Sequence, residues 1–261
     1  PKSNPFVGDI TEYADSELMY FTELKKPMKI LIATEKPFAK KALDGIKEIL
    51  AAADYEVALL EKYTEKEELI AAVKDVDGMI VRSDKVTAEV IEAAEQLKIV
   101  VRAGAGFDNV DLKAASARGI VVMNTPGQNS NAVAELALAM MIYMSRNRFT
   151  PGTGFELQGK TVGIHAYGNV GRLVGRKAKA LGMNVVAYDP FITDGAVFEN
   201  DGVKQVGSVE ELYAASDFLS LHIPATEQTK KSIGYKLMMS MPKGATLVNT
   251  ARKEVIDEVG L

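Results

Sequence analysis

Gly159-Lys160-Thr161-Val162-Gly163-Ile164-His165-Ala166-Tyr167-Gly168-Asn169-Val170-Gly171 runs on into Arg172-Leu173-Val174 and, after a short interval, Met183-Asn184-Val185-Val186-Ala187-Tyr188-Asp189. The order is strand, tight turn, helix, strand, with an acid closing the second strand. Thr161 to Ile164 is β-branched and apolar, as a strand buried in a parallel sheet must be. Gly168 leaves no side chain between the backbone and a bound pyrophosphate, and Gly171 lets the helix pack closely on the strand. The start of the helix then offers free N–H groups to the phosphates. Asp189 stands about 20 residues beyond the turn, where a carboxylate accepts bonds from a ribose diol and repels a 2′-phosphate. The stretch reads as a dinucleotide site that favours NAD over NADP.

One position departs from the G-x-G-x-x-G pattern. Ala166 stands where the first glycine makes the tight turn, and alanine suits that place only with a negative φ. The glycines alone fit any helix packed on a parallel strand. The strand before, the helix after and Asp189 shift the balance to a dinucleotide.

The rest of the chain sets bounds. Its 261 residues have room for two modest domains, and 47% hydrophobic with 25% charged residues is ordinary for a water-soluble fold. A net charge of -4 argues against non-specific nucleic-acid binding. The absence of cysteine excludes disulfide and thiolate chemistry and fits a reducing compartment such as the cytoplasm. Two histidines, His165 and His222, are too few for a His-rich metal site, so no metal is expected. No segment approaches the roughly 18 apolar residues of a bilayer span, and no signal core suggests export. The expected partner is a small molecule, with neither nucleic acid nor membrane.

Residues 1–27 are polar with scattered aromatics and read as a surface extension, with Asp15 capping a short helix that carries Leu18, Met19 and Phe21. From Met28 strands and helices alternate: Lys29 to Thr34, Glu56 to Leu60, Gly78 to Arg82, Lys98 to Arg102 and Ile120 to Met123 as strands. Lys40 to Ala53 is an amphipathic helix with Leu43, Ile46, Ile49 and Leu50 on one face. Thr64 opens the next helix with Glu67 as its capping-box partner. Thr87 to Gln96 is a third. This order implies a parallel sheet with helices on both faces and ligands at the carboxyl ends of its strands. Arg82-Ser83-Asp84-Lys85 and Arg102 to Asn109 occupy such ends, and two neighbouring arginines there suit an anion.

Asn124 to Ser130 is a polar loop at a domain boundary, followed by a long helix from Asn131 to Arg146. That helix is apolar on most sides, so it is expected to be covered from more than one direction, as core or as a dimer contact. Beyond Asp189, Val203 to Val206, Phe218 to Leu221 and Ala245 to Asn249 read as strands, and Ser208 caps a helix with Leu212 and Tyr213. The expected architecture is α/β, with two doubly wound parallel-sheet domains: a flavodoxin-like one over 28–125 and a Rossmann dinucleotide-binding one over 126–261.

Ile80 to Ser83 (IVRS), Val101 to Leu112 (VRAGAGFDNVDL), Val122 to Leu136 (VMNTPGQNSNAVAEL), the dinucleotide turn, Ser220 to Pro224 (SLHIP) and Val248 to Arg252 (VNTAR) together resemble the D-2-hydroxyacid dehydrogenase family, in particular its short-type D-3-phosphoglycerate dehydrogenases. The resemblance runs from Met28 to Leu261. It implies a substrate domain, a cofactor domain and NAD-dependent oxidation of a phosphorylated 2-hydroxy acid at the entry to serine synthesis. By the resemblance Arg252 is the catalytic arginine, holding the substrate carboxylate and polarising the C2 oxygen. Arg82, Ser83, Arg102 and Asn129 would hold the rest of the substrate, and Gly104, Ala105 and Gly106 would supply backbone donors, Ala105 also lying near the nicotinamide. Tyr167, Gly168, Asn169 and Val170 belong to the cofactor turn, and Asp189 to the adenosine ribose. His222, Ile223, Pro224, Thr229, Thr250 and Ala251 would line the cofactor, His222 as wall rather than as an acid–base group. His165 is expected to be a satisfied core histidine.

The family's acid–base residue and its acidic partner lie beyond the equivalent of Arg252, and so does the segment that completes the substrate domain. Both domains are therefore expected to be incomplete, the C-terminal part missing, with weak NAD binding and little turnover. Two other readings stay open: a relative acting on glycerate, glyoxylate, hydroxypyruvate or lactate, and an NAD(H)-sensing binding protein on the scaffold of corepressors. The latter would leave Arg252 idle.

Overall fold

A computed structural model describes residues 27–260. The extension expected over residues 1–27, with its helix capped by Asp15, falls outside them except for Pro27. The described chain forms two units. Residues up to Arg102 together with Asn109–Met123 make the first, and Ala103–Asp108 with the residues from Asn124 onward make the second.

The first unit is a parallel sheet of β1 (Lys29–Thr34), β2 (Glu56–Glu61), β3 (Gly78–Val81), β4 (Ile99–Arg102) and β5 (Val121–Asn124) in the order β2-β1-β3-β4-β5. The order reverses direction at β1 and β3, as a doubly wound sheet does. β1 pairs with both β2 and β3, so its Leu31, Ile32 and Ala33 are enclosed on all sides. The connecting helices are α1 (Lys40–Ala52), α2 (Lys66–Ala72), α3 (Ala88–Ala93) and α4 (Leu112–Ala117). Leu69 of α2 with Val90 and Ile91 of α3 close the core over Met79 and Val81.

Two sequence expectations shift here. The capping box of α2 is Glu65 with Glu68, one residue later than Thr64 with Glu67. The Glu68 carboxylate reaches back to the N–H groups of both Thr64 and Glu65, and a carboxylate caps as well as a hydroxyl. On α1 the face of Leu43, Ile46 and Leu50 is half-buried, but Ile49 is 72% exposed, so the stripe is narrower than expected.

The second unit is also a five-stranded parallel sheet. Its strands are β6 (Thr161–His165), β7 (Asn184–Tyr188), β8 (Lys204–Gln205), β9 (Phe218–Leu221) and β10 (Thr246–Asn249), in the order β10-β9-β6-β7-β8. Its helices are α5 (Ser130–Ser145), α6 (Asn169–Ala180), α7 (Ala196–Asp201), α8 (Val209–Ala214) and α9 (Tyr235–Met238). The central strand β6 pairs with β7 and β9 and buries Val162 and Ile164 completely. Ser208 caps α8 by accepting the N–H of Glu211 at 3.1 Å, as the sequence implied.

The long helix α5 packs one face against its own unit. It buries Ala134, Ala137, Leu138 and Met141 on one side only. Leu136, Met140, Tyr143 and Met144 stay exposed on the others. No helix among the described residues is long and apolar enough to cross a membrane.

Candidate functional site

In the second unit the carboxyl end of β6 leads through Ala166 and Tyr167 to Gly168, which stands at the N-terminus of α6. No side chain caps that end, although α6 is 12 residues long and its first N–H groups point outward. A Cβ placed on Gly168 would meet nothing within 4 Å, so the space over the turn is open. A Cβ on Gly171 would instead run into the Ala166 carbonyl, which is why the helix can approach the strand only with glycine there.

Ala166 has φ +77°, in the left-handed region and not at the negative φ that suits alanine. A residue with a Cβ pays about 1–2 kcal/mol to stay there. Its neighbours hold it: Ala166 N–H donates to the Tyr188 carbonyl at 2.9 Å, and Tyr167 N–H donates to Asp189 Oδ2 at 2.9 Å.

Asp189 closes β7. Its other oxygen accepts the Phe191 N–H at 2.9 Å, so both oxygens are oriented and each keeps a lone pair for a diol. Beside it Tyr188, Ile192, Thr193, Gln205 and Val206 line a cavity of about 510 Å³. An uncapped helix N-terminus, open space over Gly168 and an oriented acceptor fit the pyrophosphate and ribose of NAD.

His165 and His222 lie close together at the same end of the sheet. Burial holds each near pKa 4; nearby Asp189 partly offsets this for His165, whereas His165 adds to it for His222. Both are neutral at pH 7. His165 Nδ1 lies 3.3 Å from the Tyr213 hydroxyl. His222 Nε2 is 2.9 Å from Ser220 Oγ and Nδ1 is 3.4 Å from Thr250 Oγ1, so two hydroxyls of the unit itself hold the ring.

Arg252 follows β10 in a turn built by Asn249. The Asn249 amide donates to the Arg252 carbonyl at 3.0 Å, while its oxygen accepts the Ala251 N–H at 2.9 Å. The guanidinium lies against Gly106 and pairs with Asp108, Nη2 to Oδ1 at 3.0 Å. The loop carrying Gly104, Ala105 and Gly106 is tied by its carbonyls: Thr125 N–H donates to Gly104 at 2.9 Å and the Asn124 amide to Ala105 at 2.7 Å. The second unit thus brings Arg252 and the glycine loop together. Asn169 lies against Gly127, in the loop that leads to Asn129.

In the first unit Asp84 is buried. It accepts from Glu35 N–H at 2.7 Å, from the Tyr63 hydroxyl at 2.8 Å and from Arg82 N–H at 3.0 Å. Arg82 donates through Nη1 to the carbonyls of Lys36 and Pro37 and lies over the Phe38 ring at 5.4 Å. Arg102 Nε donates to the Arg82 carbonyl at 2.9 Å. The two arginine-bearing strand ends are therefore adjacent and cross-linked, while Ser83 is exposed.

Residues 131–261 match the D-isomer specific 2-hydroxyacid dehydrogenase NAD-binding domain. The chain belongs to this family. An NAD⁺-bound 3-phosphoglycerate dehydrogenase structure from Entamoeba histolytica is 51% identical with a TM-score of 0.84, over 90% of this chain and 75% of that one. D-3-phosphoglycerate dehydrogenase of Methanocaldococcus jannaschii is 43% identical over 75% of this chain and 40% of its own length. Hydroxypyruvate reductase of Thermotoga maritima is 40% identical over 79% of this chain and 70% of its own. The chain thus spans less than half of the Methanocaldococcus relative it matches. NAD is the cofactor of the family domain formed here by residues 131–261.

Three residues expected at the cofactor have side chains with partners inside the unit. The Tyr167 side chain is wholly buried, so only its backbone faces the turn. Ile223 packs in the core. The Thr229 hydroxyl bonds to the Pro224 carbonyl and accepts the Thr226 N–H at 2.7 Å, closing its own turn. Four residues that organise the site were missed: Asn249, Asp108, Asn124 and Asp84. For Asn249, Asn124 and Asp84 the available signal was an Asx residue at or just past the end of a strand, where its side chain can bond to backbone; Asp108 carried no such signal, because its partner Arg252 is 144 positions away.

Proposed function

We propose that this dehydrogenase oxidises D-3-phosphoglycerate to 3-phosphohydroxypyruvate, the first step of serine biosynthesis, with Arg252 as its catalytic arginine. The observation that supports this most is the placement of Arg252 against the glycine loop in the same unit as the open dinucleotide turn. A planar guanidinium binds a carboxylate in two-pronged fashion and stabilises charge on the C2 oxygen as its proton leaves. Asp108 holds Arg252 until a substrate carboxylate takes its place. Bound NAD supplies the hydride acceptor. Asn169 and Val170 meet its pyrophosphate, Asp189 its ribose, and His222, Pro224, Thr250 and Ala251 its wall. Arg82, Arg102, Ser83 and Asn129 hold the phosphate end. The exposed face of α5 is covered by a second copy of the chain, making a homodimer. Sedimentation of a Met140→Glu chain as monomer, against dimer for the parent, tests that contact.

A second reading, oxidation or reduction of an unphosphorylated 2-hydroxy or 2-oxo acid, draws on one observation. Arg82 already spends donors on the Lys36 and Pro37 carbonyls, leaving fewer for a phosphate. Steady-state NAD reduction separates the two. The phosphoglycerate reading expects Arg82→Ala to raise KM for D-3-phosphoglycerate by about 10-fold or more and for D-glycerate by less than about 3-fold. Equal losses, or faster turnover of glycerate by the parent, would favour the second reading.

A further inference from the structure

Tyr167 directly follows the strained Ala166, yet its side chain points away from the open turn and into the unit. Its ring stacks on Phe198 of α7, with centroids 4.9 Å apart and planes at 20°. Gly175 lies against the same ring, where a Cβ would come within 3.2 Å. The Tyr167 hydroxyl donates to Asp201 Oδ2 at 3.1 Å. Asp201 ends α7, and its side chain is only 4% exposed. It also accepts from Arg172 Nε at 3.0 Å and Arg176 Nε at 2.8 Å, both on α6. Burial alone would raise its pKa, but these donors outweigh burial and keep the carboxylate charged.

One residue is thus gripped at both ends. Its backbone N–H is held by Asp189, and its side chain by Phe198, Asp201 and α6. A backbone held in a sparsely populated conformation persists only where its surroundings over-determine it. The preceding residue is in that state, at φ +77°. Glycine would adopt the same φ without help.

We propose that Tyr167 and Asp201 are positioning residues for the cofactor turn: they clamp it in the left-handed conformation that Ala166 would otherwise leave, and so set the affinity for NAD(H) without touching it. The clamp takes over part of the role that a glycine at 166 would fill by itself. The inference rests on NAD as cofactor and is independent of which acid is oxidised.

The test is a double-substitution cycle on the full chain. NADH affinity is read by fluorescence titration, and amide hydrogen exchange over 164–171 is read in the free protein. Tyr167→Phe keeps the ring and removes only the bond to Asp201; Asp201→Asn keeps the shape and weakens the grip. Each is expected to weaken NADH binding by about 10-fold when residue 166 is alanine and by less than about 2-fold in an Ala166→Gly chain. Exchange at the Tyr167 and Gly168 amides should speed up in the first background and stay unchanged in the second. A purely structural role would lower affinity equally in both, and that result overturns the proposal, as does no loss in either. If the parent chain bound no NADH, the cofactor reading would fail, and the exchange arm alone would still judge the clamp.

Discussion

After β3, Asp84 collects three donors, Arg82 gives its own to two carbonyls and Asn109 donates to the carbonyls of Arg82 and Asp84. After β6, the equivalent end of the other sheet, the helix starts with no side-chain cap and with open space over Gly168. Both sheets are parallel, five-stranded and doubly wound. They differ in where polar groups find partners. The first unit satisfies its strand ends internally and offers long cations whose stems and donors are already braced. The second leaves backbone donors without a side-chain cap and relies on a strained turn to aim them. A bound anion would complete the second arrangement, whereas the first is largely complete without one.

That contrast can be broken at its most sensitive point, Arg252. If Arg252 acts as proposed, Arg252→Ala should lower kcat/KM by about 1000-fold while NADH binds within about 3-fold of the parent, because the proposed role of the guanidinium is on the substrate and not on the turn. NADH affinity falling in step with turnover would place Arg252 in the cofactor site instead. Asp84→Ala probes the internally satisfied side. It leaves the Tyr63 hydroxyl and two backbone N–H groups without their acceptor, and should cost about 3 kcal/mol in urea unfolding. A loss within experimental error would mean that water replaces the carboxylate and that the strand end is not braced by it.

The open side is sharpened by two glycines three residues apart. Gly168→Ala should keep the parent's melting temperature and weaken NADH by about 100-fold, since the new methyl meets no protein atom but fills the phosphate space. Gly171→Ala should lose both, because its methyl strikes the Ala166 carbonyl. If Gly168→Ala bound NADH normally, the cofactor would not approach the backbone there.

The smallest effect comes from the two histidines of the second unit. Both have folded pKa values near 4, below the ordinary 6.5. The unfolded chain takes up their protons first as pH falls, so the stability they contribute is full above pH 6.5 and is lost toward pH 4. Between pH 7.5 and 5 this amounts to about 2 kcal/mol per histidine. Urea midpoints at the two pH values measure it, and an unchanged pH dependence in a His165→Asn chain would refute the assignment for that residue.

Much of the fold is legible in the sequence. β1 ran from Lys29 to Thr34 as read, because a continuous apolar run bounded by polar residues has few other uses in a parallel sheet. Gly168, Gly171 and Asp189 could be placed because a pyrophosphate-binding turn constrains residue type at fixed spacing. The φ of Ala166 is not legible in the sequence, because it depends on what holds the residue, and Ala166 N–H is held by the Tyr188 carbonyl of the neighbouring strand. The width of the apolar stripe on α1 also escaped the pattern, since periodicity says which residues share a face and not what covers it.

The sequence by itself determined the alternation of strands and helices and the residue types at the cofactor turn, both encoded locally by periodicity and spacing, and its motifs carried the resemblance to the family. Only the tertiary structure decided which polar groups are spent and which are offered. The pairing of Arg252 with Asp108 across 144 positions and the grip of Asp201 on Tyr167 across 34 are choices that only folding makes. A hydrogen bond depends on distance in space, and that distance is set by how the sheets and helices pack.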